Sequence, residues 1–261
     1  EIDFKIVNKY TQEKNTILIN KIFNNKGVEI NKQETKILLQ PGINKISQII
    51  RLNEISLWSP NNPSLYKLKS YIKIKDKTED IVFENFGFRE FTVKDDRFYL
   101  NDKPIYLKAA FFEGLYPIKL AHPDSKEMVI KEIMMAKKAG FNMIRPWRKP
   151  PPPMWLKIAD SLGVLTVGSM AIECMDMPIE TPYLPRRVEN EITESILRDR
   201  NHVSIVQWEL FNEIRRPVLA NMLKPMALKA RKLDPTRMIL DESGGWAEGA
   251  NLFLPYNNTP I

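Results

Sequence analysis

The alternation of short apolar segments with longer amphipathic segments from residue 97 onward is the feature that most constrains the fold. Runs such as "FNMIRPW" and "VLTVGSMAIE" have the length of buried strands, and "PRRVENEITESILRDRN" has the periodicity of a helix. A chain that alternates strands with helices forms a parallel sheet, because each helix carries the chain back to the same end of the sheet. Both the doubly wound fold and the (β/α)8 barrel satisfy this pattern.

The number of these units bounds how much of either fold is present. Five strand–helix units are predicted, with strands in "IYLKAAFFEG", "FNMIRPW", "VLTVGSMAIE", "VSIVQWELFNE" and "RMILDESG", and "NLFLPYNN" is predicted to begin a sixth. The first strand is expected to be buried, and the helix "PVLANMLKPMALKARKLD" is expected to bend at Pro225. A full barrel takes about 250 residues, so this region would be incomplete, with bare strand edges. Because the chain also begins inside a predicted strand, we expect it to be an internal piece that continues past Ile261.

Residues 1–93 have a different pattern, in which short strands are separated by turns. In "YKLKSYIKIK", Tyr66, Leu68 and Ser70 alternate with Lys67 and Lys69, and the two-residue period slips near Ser70, as it does at a β-bulge. Turn signals recur at intervals of about ten residues, which predicts an antiparallel β-sandwich.

Composition and charge exclude several classes of function. The chain has 39 basic and 32 acidic residues and a net charge of +7, but no basic run is interleaved with aromatic residues as in a nucleic-acid-binding groove. The single cysteine, Cys174, excludes an internal disulfide, and the two histidines, His122 and His202, lack metal-ligand spacing. No apolar run reaches the about 18 residues of a membrane helix. We therefore expect no metal, cofactor, nucleic-acid partner or membrane partner; compartment and oligomeric state are not indicated.

The strand "SIVQWELFNEI" ends in two adjacent polar residues, Asn212 and Glu213, after a strongly apolar run. In a βα barrel the carboxyl ends of the strands face the ligand-binding mouth, which would place this pair at the rim of a pocket on the fourth strand. A carboxylic acid there is partly desolvated, which raises its pKa and suits it to protonate a departing oxygen. The alternative is that Glu213 caps the next segment or pairs with Arg215 or Arg216.

Several segments resemble glycoside hydrolase family 2, which includes β-galactosidases, β-glucuronidases and β-mannosidases. "ILRDRNHVSIVQWELFNEI" resembles the family's Arg-Asp-Arg-Asn-His run, buried strand and Asn-Glu end, and "FGFREFTVKDDRFYLNDKPIYLKAA" resembles its junction between sandwich and barrel. "AKKAGFNMIRPW" and "IADSLGVLTV" resemble its second strand and the step into its third. The resemblance covers almost the whole chain. It implies an immunoglobulin-like β-sandwich at residues 1–93, followed at residues 94–261 by the first part of a TIM barrel.

The resemblance also implies a retaining exo-β-glycosidase, with Glu213 as the general acid/base and Asn212 as the partner of the sugar 2-hydroxyl. It places Arg145 near the catalytic nucleophile, where a guanidinium would keep a carboxylate ionised; the alternative for Arg145 is a structural salt bridge to Glu209. The nucleophile belongs to the family's seventh barrel strand, which is not in this sequence. Glu242 ends an earlier strand and is expected to line the pocket or stabilise a loop. The 261-residue chain is therefore expected to be inactive alone.

Two further strand-end residues are candidates for sugar contacts. Glu113 ends the first predicted barrel strand, and Trp147 follows the second, where an indole ring can stack on a sugar face. The sequence departs from the family here, because Ala109-Ala110 and Phe112-Glu113 stand where the family has a glycine and a His-Glu pair, and Trp147 follows the second strand where many members have a histidine. These departures argue against galactosides and point to a less common subgroup. The alternative function is a non-catalytic carbohydrate-binding or assembly protein on the same scaffold.

Overall fold

The computed structural model describes residues 1–146, 149–172, 181–244 and 250–260, which divide into two compact units. The first unit comprises residues 1–56 and 64–88, and the second comprises residues 57–63 and 89–261. Within the described ranges, no helix is both long enough and apolar enough to span a membrane.

The first unit is an antiparallel β-sandwich, as its alternating sequence predicts. Its strands are β1 (Ile2–Asn8), β2 (Lys14–Phe23), β3 (Glu29–Leu39), β4 (Gly42–Gln48), β5 (Tyr66–Ile74) and β6 (Lys77–Phe86). One sheet pairs β1 with β4, and the other has the order β3-β2-β5-β6. In β5, Tyr66, Leu68 and Ser70 are buried and Lys67 is exposed, which confirms the predicted alternation. The irregularity predicted near Ser70 lies two residues later, where the register with β6 shifts between Ile72 and Lys73.

The interior of the first unit combines an aromatic cluster with a buried polar link between its two sheets. The Tyr66 ring packs edge-on against Phe88, with ring centroids 5.2 Å apart. The Ser70 hydroxyl donates to the Asn20 side-chain oxygen at 2.6 Å, and the Asn20 amide donates to the side-chain oxygen of Gln48. Because Gln48 ends β4 while Asn20 and Ser70 belong to the other sheet, these hydrogen bonds tie the sheets together.

The second unit begins with a short antiparallel sheet that leads into the strand–helix region. Its strands β7 (Phe91–Lys94), β8 (Arg97–Leu100) and β9 (Lys103–Pro104) pair in chain order. Asn101 and Asp102 form the tight turn between β8 and β9, and both residues have positive φ angles, +53° and +60°, as a two-residue type I′ turn requires.

Strands and helices then alternate along the rest of the chain. They are β10 (Ala109–Phe112), α1 (Lys126–Lys138), β11 (Met143–Pro146), α2 (Pro153–Leu162), β12 (Leu165–Ser169), α3 (Leu184–Asp199), β13 (Ile205–Asn212), α4 (Pro217–Ala220), α5 (Leu223–Leu233), β14 (Met238–Ser243) and β15 (Leu252–Phe253). The strands from β10 to β14 are parallel and neighbour one another in chain order. A doubly wound sheet reverses its strand order at a switch point. The observed order therefore excludes that fold and matches the first five strands of an incomplete (β/α)8 barrel.

Two expectations for the edges of this sheet are wrong. Strand β10 is not buried, since Ala109 is exposed and Phe111 is 52% exposed. The reason is that, among the described strands, β10 pairs on one side with β11 and forms the edge of the sheet. Strand β15 does not begin a sixth parallel unit but pairs antiparallel with β14, with Phe253 opposite Ile239. The link between β14 and β15 is shorter than the about twelve residues that a parallel crossover requires.

The expected bend at Pro225 is also wrong. The helical segment breaks earlier, between the end of α4 at Ala220 and the start of α5 at Leu223, and Pro225 lies in the first turn of α5. The N–H groups of a first helical turn have no acceptor within the helix. A proline in that turn removes no helical hydrogen bond, so α5 has no reason to bend there.

The core of the second unit is closely packed around Trp208 of β13. A Cβ atom added at Gly168 of β12 would lie 2.3 Å from the Trp208 ring, so this glycine is required by space. The Trp208 indole N–H donates to Asp234 at 2.9 Å, and Asp234 also pairs with Arg237 at 2.5 Å. Burial would raise the pKa of Asp234, but the positive charge of Arg237 and hydrogen bonds from Thr236 and Trp208 outweigh burial and lower the pKa.

Candidate active site

The carboxyl ends of β11, β13 and β14 bring together four polar side chains. Arg145 is the third residue of β11, Asn212 ends β13, and Ser243 ends β14 directly opposite Asn212 in the parallel register. Glu209, earlier on β13, completes the group. These strand ends face the mouth of a βα barrel, where ligands bind in proteins of this architecture.

Arg145 forms a two-pronged ion pair with Glu209. Its Nε donates to Glu209 Oε2 at 2.8 Å, and its Nη2 donates to Glu209 Oε1. The Glu209 side chain is 3% exposed and that of Arg145 is 28% exposed, so the carboxylate is the more desolvated partner. On the other side, the Arg145 guanidinium lies 5.9 Å from the ring centre of Phe111. The structure therefore contains the salt bridge that the sequence offered as the alternative for Arg145, and that pair lies directly beside Asn212.

Ser243 links the ion pair to Asn212. Its Oγ lies 2.7 Å from Glu209 Oε1, 2.5 Å from Asn212 Oδ1, and within 3.1 Å of Arg145 Nη2, which donates to it. Arg145 Nη2 also lies 3.5 Å from Asn212 Oδ1. Since Asn212 is buried, this network holds its amide with the oxygen directed at Ser243 and Arg145.

Glu213 has an unusual backbone conformation at the end of β13. Its φ angle is +52°, in the left-handed region, which costs a residue with a side chain about 1–2 kcal/mol. Its N–H donates to the carbonyl oxygen of Ser243 at 2.8 Å, and the N–H of Ile214 donates to Glu242 Oε1 at 2.8 Å. The Glu213 residue is half-buried. Two residues at the end of β14 thus hold the backbone of the segment that carries Glu213.

Glu242 lies in the interior, with 0% of its surface exposed. Besides accepting the Ile214 N–H, it is held by its own N–H, which donates to Asp241 Oδ1 at 2.7 Å. Asp241 in turn accepts hydrogen bonds from both the backbone and the side chain of Asn251, at 2.7 and 2.8 Å. This chain of contacts is that of a loop-stabilising residue.

Among the described residues, the predicted contact residue on the first barrel strand lies apart from the hydrogen-bonded network around Ser243. Glu113 follows β10 and is exposed. It lies near Lys149. Burial lowers the pKa of Lys149 and the negative charge of Glu113 raises it, and burial has the larger effect, so the pKa is lowered. Lys149 Nζ donates to the carbonyl oxygen of Gly114 at 2.6 Å and so ties the segment after β10 to the segment after β11. The other predicted contact residue, Trp147, lies outside the described residues.

Sequence reasoning missed the part played by Ser243 and found Glu209 only as an alternative partner. A signal for Ser243 was present, because "MILDES" and "QWELFN" are neighbouring parallel strands whose ends align. The signal for Glu209 is its position four residues before Glu213, which gives the two residues the same strand parity. Glu209 and Asn212 both contact Ser243, although strict alternation puts residues three apart on opposite faces.

The described residues contain no group of three or more His, Cys, Asp or Glu side chains that could hold a metal ion. The described part of the site presents the Asn212 amide, the Ser243 hydroxyl, the Arg145–Glu209 ion pair and the Glu213 carboxyl group.

Comparison with known proteins identifies the class that this fold and this strand-end pair define, the glycoside hydrolases. The family description "Glycosyl hydrolases family 2" matches residues 1–89, and "Glycosyl hydrolases family 2, TIM barrel domain" matches residues 91–255. The chain belongs to glycosyl hydrolases family 2.

Individual relatives agree with this assignment. A β-galactosidase of Photobacterium profundum is 27% identical over 206 residues, which is 77% of this chain and 20% of that protein. A solved β-glucuronidase of Bacteroides uniformis has a TM-score of 0.81 at 24% identity, covering 91% of this chain and 30% of that chain. A solved family 2 member from Bacteroides cellulosilyticus also has a TM-score of 0.81, at 22% identity, covering 91% and 32%. The chain thus spans about a fifth of the length of the curated relative and about a third of these structures.

Proposed function

We propose that the chain is part of a retaining exo-β-glycosidase in which Glu213 is the general acid/base. The observation that carries the proposal is the Asn212–Glu213 pair at the carboxyl end of the fourth parallel strand, next to a prepared polar network on β11 and β14. Membership of a glycosidase family and the names of its relatives, a β-galactosidase and a β-glucuronidase, support the reaction class. Residues 94–261 would be the first part of the catalytic barrel domain.

The reaction would proceed in two displacements. In the first, a carboxylate from another barrel strand attacks the anomeric carbon while Glu213 gives its proton to the glycosidic oxygen, so that the leaving group departs as an alcohol. In the second, the Glu213 carboxylate takes a proton from water, whose oxygen attacks the anomeric carbon and displaces the nucleophile. Each displacement inverts the anomeric centre, so the product retains the β configuration. Retaining enzymes hold the two carboxyl groups about 5–5.5 Å apart.

The remaining residues would bind and orient the sugar. Asn212 is proposed to bind the 2-hydroxyl, since its amide is already held at one end by Ser243 and Arg145. Arg145 is proposed to support this end of the pocket, and Trp147 is proposed to stack on a sugar face. Glu113 is proposed to accept a hydrogen bond from a sugar hydroxyl. The departures from the family at the ends of the first two strands favour a β-glycoside other than a galactoside as the substrate.

The 261-residue chain is proposed to be inactive by itself. The resemblance to the family assigns the nucleophile to a seventh barrel strand, and the described residues contain five parallel strands. Without the second carboxylate, the first displacement has no covalent acceptor for the sugar. Aryl β-glycosides incubated with the 261-residue chain should therefore release no phenol above the uncatalysed rate, whereas the full-length enzyme should release it.

A substitution of Glu213 in the full-length enzyme tests the acid/base role. Glu213→Gln should lower kcat/KM on a phenyl β-glycoside by about 10²- to 10⁴-fold, because phenol departs slowly without a proton. On a 2,4-dinitrophenyl glycoside the first displacement should be far less affected, because that leaving group needs no proton. Azide, which attacks without a general base, should restore turnover and give a β-glycosyl azide. Glu194→Gln, at an exposed glutamate of α3, is the matched control and should leave both rates unchanged. Undiminished turnover in Glu213→Gln would remove Glu213 from the mechanism.

One observation favours a second candidate, a non-catalytic carbohydrate-binding protein on the same scaffold. The charge of Arg145 is already matched by Glu209, so the guanidinium is not reserved for a nucleophile. Absence of turnover by the full-length protein on a panel of aryl β-glycosides, together with measurable binding of the same glycosides, would establish this candidate. A glutamate at the end of its seventh barrel strand and measurable turnover would exclude it.

A further inference from the structure

Ser243 contacts both residues of the Asn212–Glu213 pair, one through its side chain and the other through its backbone. Its hydroxyl oxygen lies 2.5 Å from Asn212 Oδ1, and its carbonyl oxygen accepts the Glu213 N–H at 2.8 Å. The parallel register places Ser243 directly beside Asn212, so both contacts follow from the pairing of β13 with β14. A single residue on a neighbouring strand is therefore positioned to hold the whole pair.

The chemistry of the neighbours fixes which way the Asn212 amide is turned. A guanidinium can only donate hydrogen bonds, so the Asn212 atom that faces Arg145 at 3.5 Å is its oxygen. The Ser243 hydroxyl accepts from Arg145 Nη2 at 3.1 Å, and its single proton is shared between two acceptors, Asn212 Oδ1 at 2.5 Å and Glu209 Oε1 at 2.7 Å. With the oxygen held by these two groups, the amide nitrogen is turned away from β11 and β14.

The backbone of Glu213 depends on the same strand end. A left-handed φ of +52° is unfavourable for glutamate, and a residue holds it where surrounding hydrogen bonds impose it. Here the Ser243 carbonyl accepts the Glu213 N–H, and Glu242 accepts the next N–H, that of Ile214. The direction in which the Glu213 side chain leaves the strand is thus set by β14 as well as by β13.

We infer that Ser243 is a positioning residue for the glycosidase reaction: its hydroxyl sets the orientation of the Asn212 amide toward the sugar 2-hydroxyl, with Glu209 and Arg145 as the support behind it. This inference rests on the proposed function, because it uses the contact between Asn212 and the 2-hydroxyl. It assigns to Ser243 an effect on one hydroxyl of the substrate, beyond a general effect on folding.

A comparison of two substrates isolates this effect. In the full-length enzyme, kcat/KM is measured on an aryl β-glycoside and on its 2-deoxy analogue, for Ser243→Ala and for Ser243→Thr. The ratio compared is kcat/KM on the aryl β-glycoside divided by kcat/KM on its 2-deoxy analogue. Ser243→Ala should lower this ratio by about tenfold, because the variant loses one hydrogen bond that orients Asn212. Ser243→Thr, which keeps the hydroxyl, should restore most of the ratio. Because both kcat/KM values are measured on the same preparation of each variant, the fraction of folded enzyme cancels in the ratio.

Controls separate this inference from the proposed function. Ser195→Ala, at a buried serine of α3, should leave the ratio unchanged. In an Asn212→Ala background, Ser243→Ala should change the ratio less than twofold, because the group it orients is gone. Equal losses on both substrates in Ser243→Ala would overturn the inference and leave Ser243 a structural residue. If Glu213→Gln removes acid catalysis while Ser243→Ala leaves the ratio unchanged, the inference alone fails; if Glu213→Gln is fully active, the proposed function fails.

Discussion

Removing Arg145 should destabilise the protein more than removing one partner of an exposed ion pair, because it leaves a buried carboxylate without its opposite charge. The substitution is Arg145→Met, which keeps an unbranched side chain of similar reach and removes the charge and every donor. The Glu209 side chain, 3% exposed, would lose both prongs of its ion pair and keep the Ser243 hydroxyl at 2.7 Å. One hydroxyl cannot replace a guanidinium as the partner of a buried charge.

The structure sets the size of the effect. Breaking a buried ion pair by removing one partner costs about 3–5 kcal/mol, since the other charge is left without compensation. The Arg145 side chain is 28% exposed, so water can reach part of the vacated space and the cost should fall near the lower end, about 3 kcal/mol. Removing both charges in Arg145→Met/Glu209→Met should bring the free energy of unfolding back to within about 1.5 kcal/mol of the wild type.

Urea unfolding of the full-length protein, followed by tryptophan fluorescence, measures these differences for the single and double variants. The buried Trp155 and Trp208 report on the barrel unit. Lys229→Met is the matched control, because its ion pair with Glu189 is 33% and 44% exposed and should be worth about 0–1 kcal/mol. A double variant as unstable as Arg145→Met, or a single variant that costs no more than the control, would refute the reasoning.

The same variants distinguish two roles of Arg145. If the guanidinium serves only to compensate Glu209, the double variant should recover kcat/KM along with stability. If Arg145 also supports the sugar-binding end of the site through Asn212 and Ser243, stability should return while kcat/KM stays low.

Two further predictions concern the frame around the site. Gly168→Ala should destabilise the barrel unit by about 1–3 kcal/mol in the same urea assay, because its Cβ would lie 2.3 Å from the Trp208 ring. Gly140→Ala is the comparison: Gly140 has a φ of +90° and open space around it, so the substitution should cost about 1 kcal/mol from backbone strain alone. Asp234→Asn should lower the free energy of unfolding at pH 7, and this loss should shrink as the pH falls below about 4. The reason is that the Asp234 pKa is lower in the folded state, so its stabilisation is present above the ordinary value of 3.8 and disappears as the pH drops through the folded pKa. A loss that stays constant from pH 7 to pH 3 would contradict the Asp234 prediction, and equal costs at the two glycines would contradict the packing prediction.

Local sequence signals predicted the elements of this fold well where the determining interactions are local. The alternation in β5 depends on residues two positions apart. The bend predicted at Pro225 is wrong for a local reason as well, because Pro225 lies in the first turn of α5 and a proline there is compatible with a straight helix.

Features that depend on distant strands could not be predicted in the same way. The exposure of Phe111 follows from the absence of a second neighbour for β10 in the described sheet, and the apolar run that contains it is equally compatible with a central strand. The antiparallel pairing of β15 depends on the length of its link and on the open side of β14. Neither property can be predicted from the sequence of the segment itself.

The site shows the same division. That Asn212 and Glu213 end an apolar strand is visible in the sequence, but the contact of both Glu209 and Asn212 with Ser243 contradicts simple alternation along β13. Leu210 and Phe211, between them, both belong to the apolar core. The register with β14 is regular up to Asn212, so the buried Glu209 side chain and the Asn212 amide meet at one serine of the neighbouring strand without a bulge, immediately before the left-handed Glu213.

The pairing of Arg145 with Glu209 changes what the arginine can contribute to catalysis. A lone guanidinium near a nucleophile would favour its ionised form through a charge–charge interaction that falls with distance as 1/r. A guanidinium matched by a carboxylate at hydrogen-bond distance presents a dipole, whose effect on a third charge falls off more steeply. Under the proposed function, Arg145 would therefore orient its neighbours, through its contacts with the Asn212 oxygen and the Ser243 hydroxyl, and the ionisation of a nucleophile on another strand would depend on other groups.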